Sequence, residues 1–420
     1  MTFKLSGFKE YGLALHMRFL GYGFLLIALS LVYLAPYWWF QQPTTQAALV
    51  RVFLVVSVCC LIFEYWKGEE GRGIYFDRTH LVLFLLLFGY LLLNSLFLSE
   101  NFKSVRRLFF VFILFLPFVF VDIKESFLEK VFLFFAVVVF LFALLSLAVN
   151  YYDNTLPLGY RKGGIYRSGV GQVADFGNTI VAGLYYSTGL LLAFYFYLTA
   201  RNNLVFLLSV IMVAVIAAYV FLTFARTSWL VAGVGLIVLM LSTYERELRG
   251  RFYFVVFVLI ALLSYYALTK LGYEVGVRGL TYRDQIWAES FLRIKESIAF
   301  GHGLLSETGW IYIDSPQKKV NNPHSLYLEI LYQTGVVGLV LYLLFLLRSL
   351  WLFFVAVRRR VYGKTGALFL SALIGVSAGM TVDIIGWINS PNYVWLWLWV
   401  PMACSFAFIR GLKRENAISG

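Results

Sequence analysis

Blocks of about twenty apolar residues recur along this chain with almost no charge inside them, as in Leu81–Leu98 and Val131–Val149. An α-helix rises 1.5 Å per residue, so each block is long enough to cross the hydrocarbon of a bilayer. Inside lipid every backbone N–H and C=O must find its partner within the segment or in a closed barrel, and runs of this length without alternation favour helices. Composition agrees: 61% of residues are hydrophobic, 14% are charged and the mean hydropathy is +0.80, which excludes an ordinary water-soluble domain. The blocks fall at 17–37, 48–66, 80–99, 107–121, 128–150, 178–199, 204–223, 227–243, 252–270, 334–357, 365–386 and 391–411, and the fold expected is all-α with about 12 transmembrane helices. Cys59, Cys60 and Cys404 all sit inside blocks, where they act as small hydrophobes, so no disulfide framework is expected. The first block lacks a small-residue cleavage site after it and reads as a retained helix.

The net charge of +13 would suit a nucleic-acid binder if it lay on one soluble surface. It lies instead in short clusters between blocks. With the N-terminus in the cytoplasm, nineteen Lys and Arg fall in cytoplasmic segments and five in the short outer loops: Arg51, Lys103, Arg106, Arg107 and Arg226. Both termini are then cytoplasmic. One outer loop, 100–107, is discordantly basic.

Two loops, 151–177 and 271–333, exceed simple turns, and both fall on the outer side. The chain thus divides into nine spans over 1–270, a large outer loop over 271–333, and three spans with a cytoplasmic tail over 334–420. Within the large loop, Thr281–Ser297 places Ile286, Phe291, Ile294 and Ile298 on one side, which predicts an amphipathic helix on the membrane surface, ended by Gly301 and Gly303.

Three outer constellations carry chemistry. Asn321-Asn322-Pro323-His324-Ser325 precedes a helical run, placing His324 in the first turn of the next helix. A second positive charge is disfavoured at a helix N-terminus, so an imidazole there is suited to accept a proton. Thr223-Phe224-Ala225-Arg226-Thr227-Ser228 sets one arginine at the outer ends of two spans, where a phosphate is its natural partner. Gly279-Leu280-Thr281-Tyr282-Arg283-Asp284 sets Arg283 at the start of the surface helix. Secondary candidates for holding substrate are Arg161, Lys162, Arg167 and Asn178 in the first outer loop, and Lys318, Lys319 and Asn322 before the histidine. The chain has no His-Glu-x-x-His, no cysteine pair at zinc spacing, no Gly-rich phosphate loop and no acylation frame around Ser228 or Ser325. The expected chemistry therefore uses no metal and no cofactor.

His324 and Ser325, nine residues, then Gly335 and Gly338 resemble the His-[Asn/Ser/Gln]-x9-Gly-x-x-Gly signature of the O-antigen ligases. Arg226 with Leu230 resembles their Arg-x3-Leu signature, and Arg283 followed by Gly301-His302-Gly303 resembles their outer-loop arginine and Gly-x-Gly. The resemblance implies a membrane glycosyltransferase of the C-type fold class in a bacterial inner membrane. It would move O-antigen glycan from undecaprenyl diphosphate to the lipid A-core oligosaccharide on the periplasmic face. Carried over, Arg226 and Arg283 hold the diphosphate and His324 is the base for the acceptor hydroxyl. The polymerases of the same superfamily, which extend one lipid-linked glycan with another, remain an alternative. A flippase for lipid-linked sugars is a second; it would bury charge along several spans, whereas Arg348 and Asp383 are the clearest interior exceptions.

Overall fold

The computed structural model describes residues 5–34, 43–67, 77–99, 102–121, 125–153, 155, 164–165, 174–243, 250, 253, 268, 272, 276, 279, 281–313, 315–383, 386–392 and 394–419. The block at 252–270, apart from 253 and 268, and Arg161, Lys162 and Arg167 lie outside the described residues. The first eight helices are α1 (Leu5–Tyr33), α2 (Pro43–Lys67), α3 (Arg78–Phe97), α4 (Lys103–Phe120), α5 (Glu125–Tyr152), α6 (Thr179–Thr199), α7 (Asn203–Leu222) and α8 (Arg226–Ser242). Then come α9 (Arg283–Glu296), strands β1 (Ile311–Ile313) and β2 (Ser315–Val320), α10 (Leu326–Arg358), α11 (Gly363–Gly379), α12 (Val394–Trp397) and α13 (Trp399–Ser419).

Seven of these helices, α1, α2, α3, α5, α6, α7 and α10, are long and apolar enough to cross a membrane, and α8 and α11 are shorter apolar helices. Leu85, Leu86 and Leu93 on α3 and Leu204, Leu207 and Leu208 on α7 point outward and exposed. Such apolar stripes are unfavourable in water and suit lipid. α6 is the opposite case, buried on nearly every face. This is a polytopic, mostly α-helical membrane protein.

Several sequence expectations need correction. The fold is not purely helical, because β1 and β2 pair antiparallel, Ile311 facing Val320, with an irregularity between Tyr312 and Ile313. Strands this short leave no periodicity to read. The apolar run taken as 334–357 belongs to a helix that begins at Leu326 and breaks at Gly335, whose φ is 65° and ψ −173°. The block 365–386 ends as a helix at Gly379, and 391–411 is divided into α12 and α13. In the surface helix the buried stripe is Ile286, Ser290 and Ile294, whereas Phe291 and Ile298 stay exposed. Ile286 packs with Ile311, Trp287 and Val320, so the hairpin takes up the face of α9 that the pattern assigned to the membrane.

Of the two interior charges, Arg348 pairs with Asp77 at 2.6 Å, and Asp77 also caps α3 by accepting from the His80 N–H. Asp383, the other, lies just beyond the end of α11. A charge there avoids the cost of the bilayer centre, and the early end of α11 is what places it so.

Candidate active site

The crossing of α8 and α11 fixes the site. Thr227, Val231 and Gly235 on α8 recur every four residues, as do Gly375 and Gly379 on α11, so each set forms one ridge. The two helices approach until a Cβ on Gly375 would lie 2.7 Å from the Val231 carbonyl oxygen and one on Gly379 would lie 2.3 Å from a Val231 methyl. Small residues allow this backbone contact inside lipid, where packing holds helices together. Continuing the α11 ridge by four residues reaches Asp383, opposite Thr227. The Thr227 hydroxyl donates to Asp383 Oδ2 at 3.1 Å.

Asp383 is 2% exposed and gathers groups from four segments. Arg283 Nη2, at the start of α9, lies 3.8 Å from its Oδ2, and Arg283 Nε donates to the carbonyl of Val382 at 2.7 Å. His324 Nδ1 lies 3.6 Å from Oδ1. The Leu326 N–H, first in α10, donates to the carbonyls of Met380 at 2.9 Å and Asp383 at 3.2 Å. A buried carboxylate needs this company, since an isolated charge is costly to desolvate.

Arg226 opens α8 and donates to the carbonyl of Gly279 at 2.8 Å, in the segment leading to Arg283. It lies close enough to repel Arg283. Burial lowers the Arg283 guanidinium from its ordinary range; Asp383 opposes that shift and Arg226 adds to it. Arg283 thus lies between a carboxylate and a second arginine, at a place where three helices begin. Neither α8 nor α9 has a side-chain cap, and the N-terminal ends of α8, α9 and α10 carry the positive poles of their dipoles. The arrangement is electropositive and matches a multiply charged phosphate group.

His324 differs from its sequence reading in one respect. It is not in the first helical turn; Ser325 is the N-cap of α10 and His324 precedes it with φ +47°. Its N–H donates to Asn322 Oδ1 at 3.2 Å, and the carbonyl of Pro323 accepts from the Trp287 indole at 3.0 Å. The loop is thereby tied to α9, and the imidazole edge reaches Asp383 while the side chain keeps 31% exposure.

The glycines serve the same end mechanically. At the Gly335 break the N–H groups of Val336 and Val337 donate to the carbonyls of Ile298 and Ala299, and those of His302 and Gly303 donate to Tyr332 and Gln333. Segment 297–303 therefore docks edge-on into the interrupted helix. A Cβ on Gly335 would lie 2.2 Å from the Ala299 oxygen, and one on Gly301 would lie 2.4 Å from the Gln333 carbonyl carbon. Both glycines have positive φ, +65° and +73°. Tyr90 and Asn94 of α3 brace the junction through the carbonyls of Thr334 and Phe300.

Arg283 and His324 are thus brought to Asp383, with Arg226 beside Arg283. Of the secondary candidates among the described residues, Asn322 alone touches one of these three. Asn178 caps α6 by accepting from the Val181 N–H, and Asn322 positions His324. Lys319 lies exposed with its ammonium 4.2 Å from the centre of the Trp310 ring. Lys318 occupies a strand position on β2. Sequence reasoning missed Thr227, Trp287 and the role of Asp383, although Asp383 carried a signal as a lone acid in an apolar block.

The apolar cavity of about 670 Å³ that runs along α1 from Arg18 to Tyr33 includes none of these residues.

Residues 211–343 match the family model described as O-antigen ligase, a span holding Arg226, Arg283, His324, Gly335 and Gly338 but ending before Asp383. An O-antigen ligase of Pseudomonas aeruginosa is 27% identical over 169 residues, covering 36% of this chain and 37% of the relative. The chain is thus matched over little more than a third of that relative's length. The segment matched by the family model contains the arginines and the histidine just described, and over that part the chain is similar to the O-antigen ligases.

Proposed function

We propose that this chain is an inverting, lipid-diphosphate-dependent glycosyltransferase of the inner membrane. It takes O-antigen glycan from undecaprenyl diphosphate and joins it to lipid A-core oligosaccharide on the periplasmic face, with both termini cytoplasmic. The reading is supported by one observation: Arg283 and His324, remote in sequence, meet at the buried Asp383, with Arg226 beside Arg283. Cleaving an anomeric C–O bond to diphosphate builds negative charge on the leaving oxygens. Two fixed guanidiniums at helix N-termini stabilise that charge without rearranging in the transition state. His324 faces the same place and takes the proton of the acceptor hydroxyl as its oxygen bonds to the anomeric carbon. Asp383 holds both the imidazole and Arg283, so donor clamp and base share one support. Direct attack opposite the diphosphate inverts the centre.

The test supplies the purified protein with lipid-linked glycan, with and without lipid A-core. Capped core is the expected product, and His324→Ala is expected to abolish it while the variant still inserts and unfolds at the usual temperature. Longer lipid-linked chains formed without core would assign polymerisation instead. Full transfer by His324→Ala would remove the base.

A further inference from the structure

A second positively charged cluster lies away from Asp383. Arg51, in the third turn of α2, donates from Nη2 to Ser390 Oγ at 3.0 Å, and its guanidinium sits 4.9 Å from the centre of the Phe110 ring. Arg106 and Arg107, at the start of α4, are close enough to repel it. Among the described residues no carboxylate forms a salt bridge with any of the three. The Nε atoms of Arg51 and Arg107 are buried with no hydrogen-bond partner, while Arg106 is exposed and gives the cluster a mouth.

Three features make this arrangement costly unless an anion occupies it. Like charges held together repel, and each desolvated N–H without an acceptor costs about 1–3 kcal/mol. The basic residues also stand at the wrong end of α4. Its first turn holds Lys103 and no acid, and no side chain caps it, so the charges add to the positive pole of the helix. Ordinary snorkelling would leave the guanidiniums in water, whereas here two Nε atoms are shut away from it. Arginines converging with unused donors suit a phosphate's oxygens, which accept paired N–H bonds.

The cluster lies on the same face as His324. Leu98 and Ser99, just before α4, pack against Gly303 and Leu304, where a Cβ on Gly303 would lie 2.5 Å from the Leu98 oxygen. This also accounts for the basic loop at 100–107 that is discordant in the charge count. Ser390 follows Asp383 by seven residues, and between them Trp387 donates to Gln333 Oε1 at 2.9 Å and accepts from the Trp399 indole at 2.6 Å. At most about 25 Å of extended chain separates the two places.

We propose that Arg51, Arg106 and Arg107 form a second anion site, which takes the phosphate of a membrane-anchored molecule. Two sources share that chemistry, an anionic phospholipid of the bulk bilayer and a phosphorylated glycolipid. The proposal does not depend on the transfer reaction.

Native mass spectrometry of the full-length protein tests it. The probes are phosphatidylglycerol, a phosphorylated glycolipid, the same glycolipid dephosphorylated, and a neutral glucosyl diacylglycerol. The double variant Arg106→Gln/Arg107→Gln is expected to bind both phosphate-bearing probes about ten- to a hundredfold more weakly, the range for losing hydrogen bonds to a charged group. Arg51→Gln is expected to do the same, and Arg201→Gln, at an exposed arginine between α6 and α7, to leave this binding unchanged. Tighter binding of the phosphorylated glycolipid than of phosphatidylglycerol identifies the glycolipid as the occupant, and equal binding identifies bulk phospholipid. Equal binding of all four probes, or unchanged binding by both variants, overturns the site. Because transfer is not the readout, failure here leaves the catalytic reading standing, and loss of catalysis leaves this site standing.

Discussion

Replacing Asp383 by Asn removes a charge and little else, because the amide keeps the shape and can still accept from Thr227. At 3.8 Å the attraction between Arg283 and Asp383 is about 4 kcal/mol for an effective dielectric near 20. The carboxylate also gives up water to sit there, and Arg283, 19% exposed, regains some when the charge goes. The net loss of stability is therefore about 1–3 kcal/mol, a shift of a few degrees in Tm. Catalysis is far more sensitive. Arg283 and His324 both take their placement from this carboxylate, and a misplacement of about 1 Å costs on the order of a hundredfold in rate. Transfer in Asp383→Asn is expected to fall about a hundred- to a thousandfold. The electrostatics carry a sign that separates this from simple unfolding. Removing the acid leaves two arginines facing the donor diphosphate with no counter-charge, so KM for the lipid-linked donor should stay the same or drop while kcat collapses. The assay is steady-state transfer to lipid A-core in detergent, beside a thermal melt. Transfer near the level of the unaltered protein, or a raised KM with kcat intact, would falsify the assignment of Asp383 as the support of the site.

Arg226→Lys keeps a positive charge but loses the planar fork, and is expected to reduce transfer about ten- to a hundredfold, checked by kcat/KM with donor varied. Gly335→Ala puts a methyl where the Ala299 oxygen would be 2.2 Å away and forces an L-residue to φ +65°. It is expected to destabilise the fold by about 3 kcal/mol or more, read as a lower Tm and poor recovery from membranes, whereas Gly363→Ala, with no contact under 3.9 Å, should be silent.

The membrane-spanning character of the chain was legible because it depends on one short-range property, the length of apolar runs. The convergence of Arg283 and His324 on Asp383 was not legible in that way, since the sequence placed each only beside the end of an apolar run. Asp383 was visible as an anomaly, yet its role was not. Nothing in the local sequence shows that Gly375 and Gly379 let α11 approach α8 closely enough for the next residue of that ridge to meet Thr227. Asn178 and Asn322 have structural work that their sequence positions did not announce. Exposed polar residues in an outer loop look available for substrate, but short amides are also the groups that cap helices and turns, and both are used that way.

Backbone strain explains why the site could not be read from local propensity at all. Among the described residues eight other than glycine have positive φ, and four of them are Phe224, two before Arg226, Thr281 and Tyr282, immediately before Arg283, and His324 itself. Each such residue costs on the order of 1–2 kcal/mol, so together they amount to a large part of the stability of an ordinary domain. A sequence that places bulky residues in this region works against its own local preferences unless the surroundings dictate the conformation. They do so here. Phe224 is buried beside Phe221 and Trp229, whose indole donates to the Val220 carbonyl, and His324 is held between Asn322 and the start of α10. Each left-handed residue turns the chain abruptly just before, or at, a functional side chain. A relaxed backbone would carry Arg283 and His324 away from Asp383, and Arg226 away from Arg283. Concentrating half of these positions at one place indicates that the arrangement is imposed by the whole fold, with the positive ends of three helices directed at a common point.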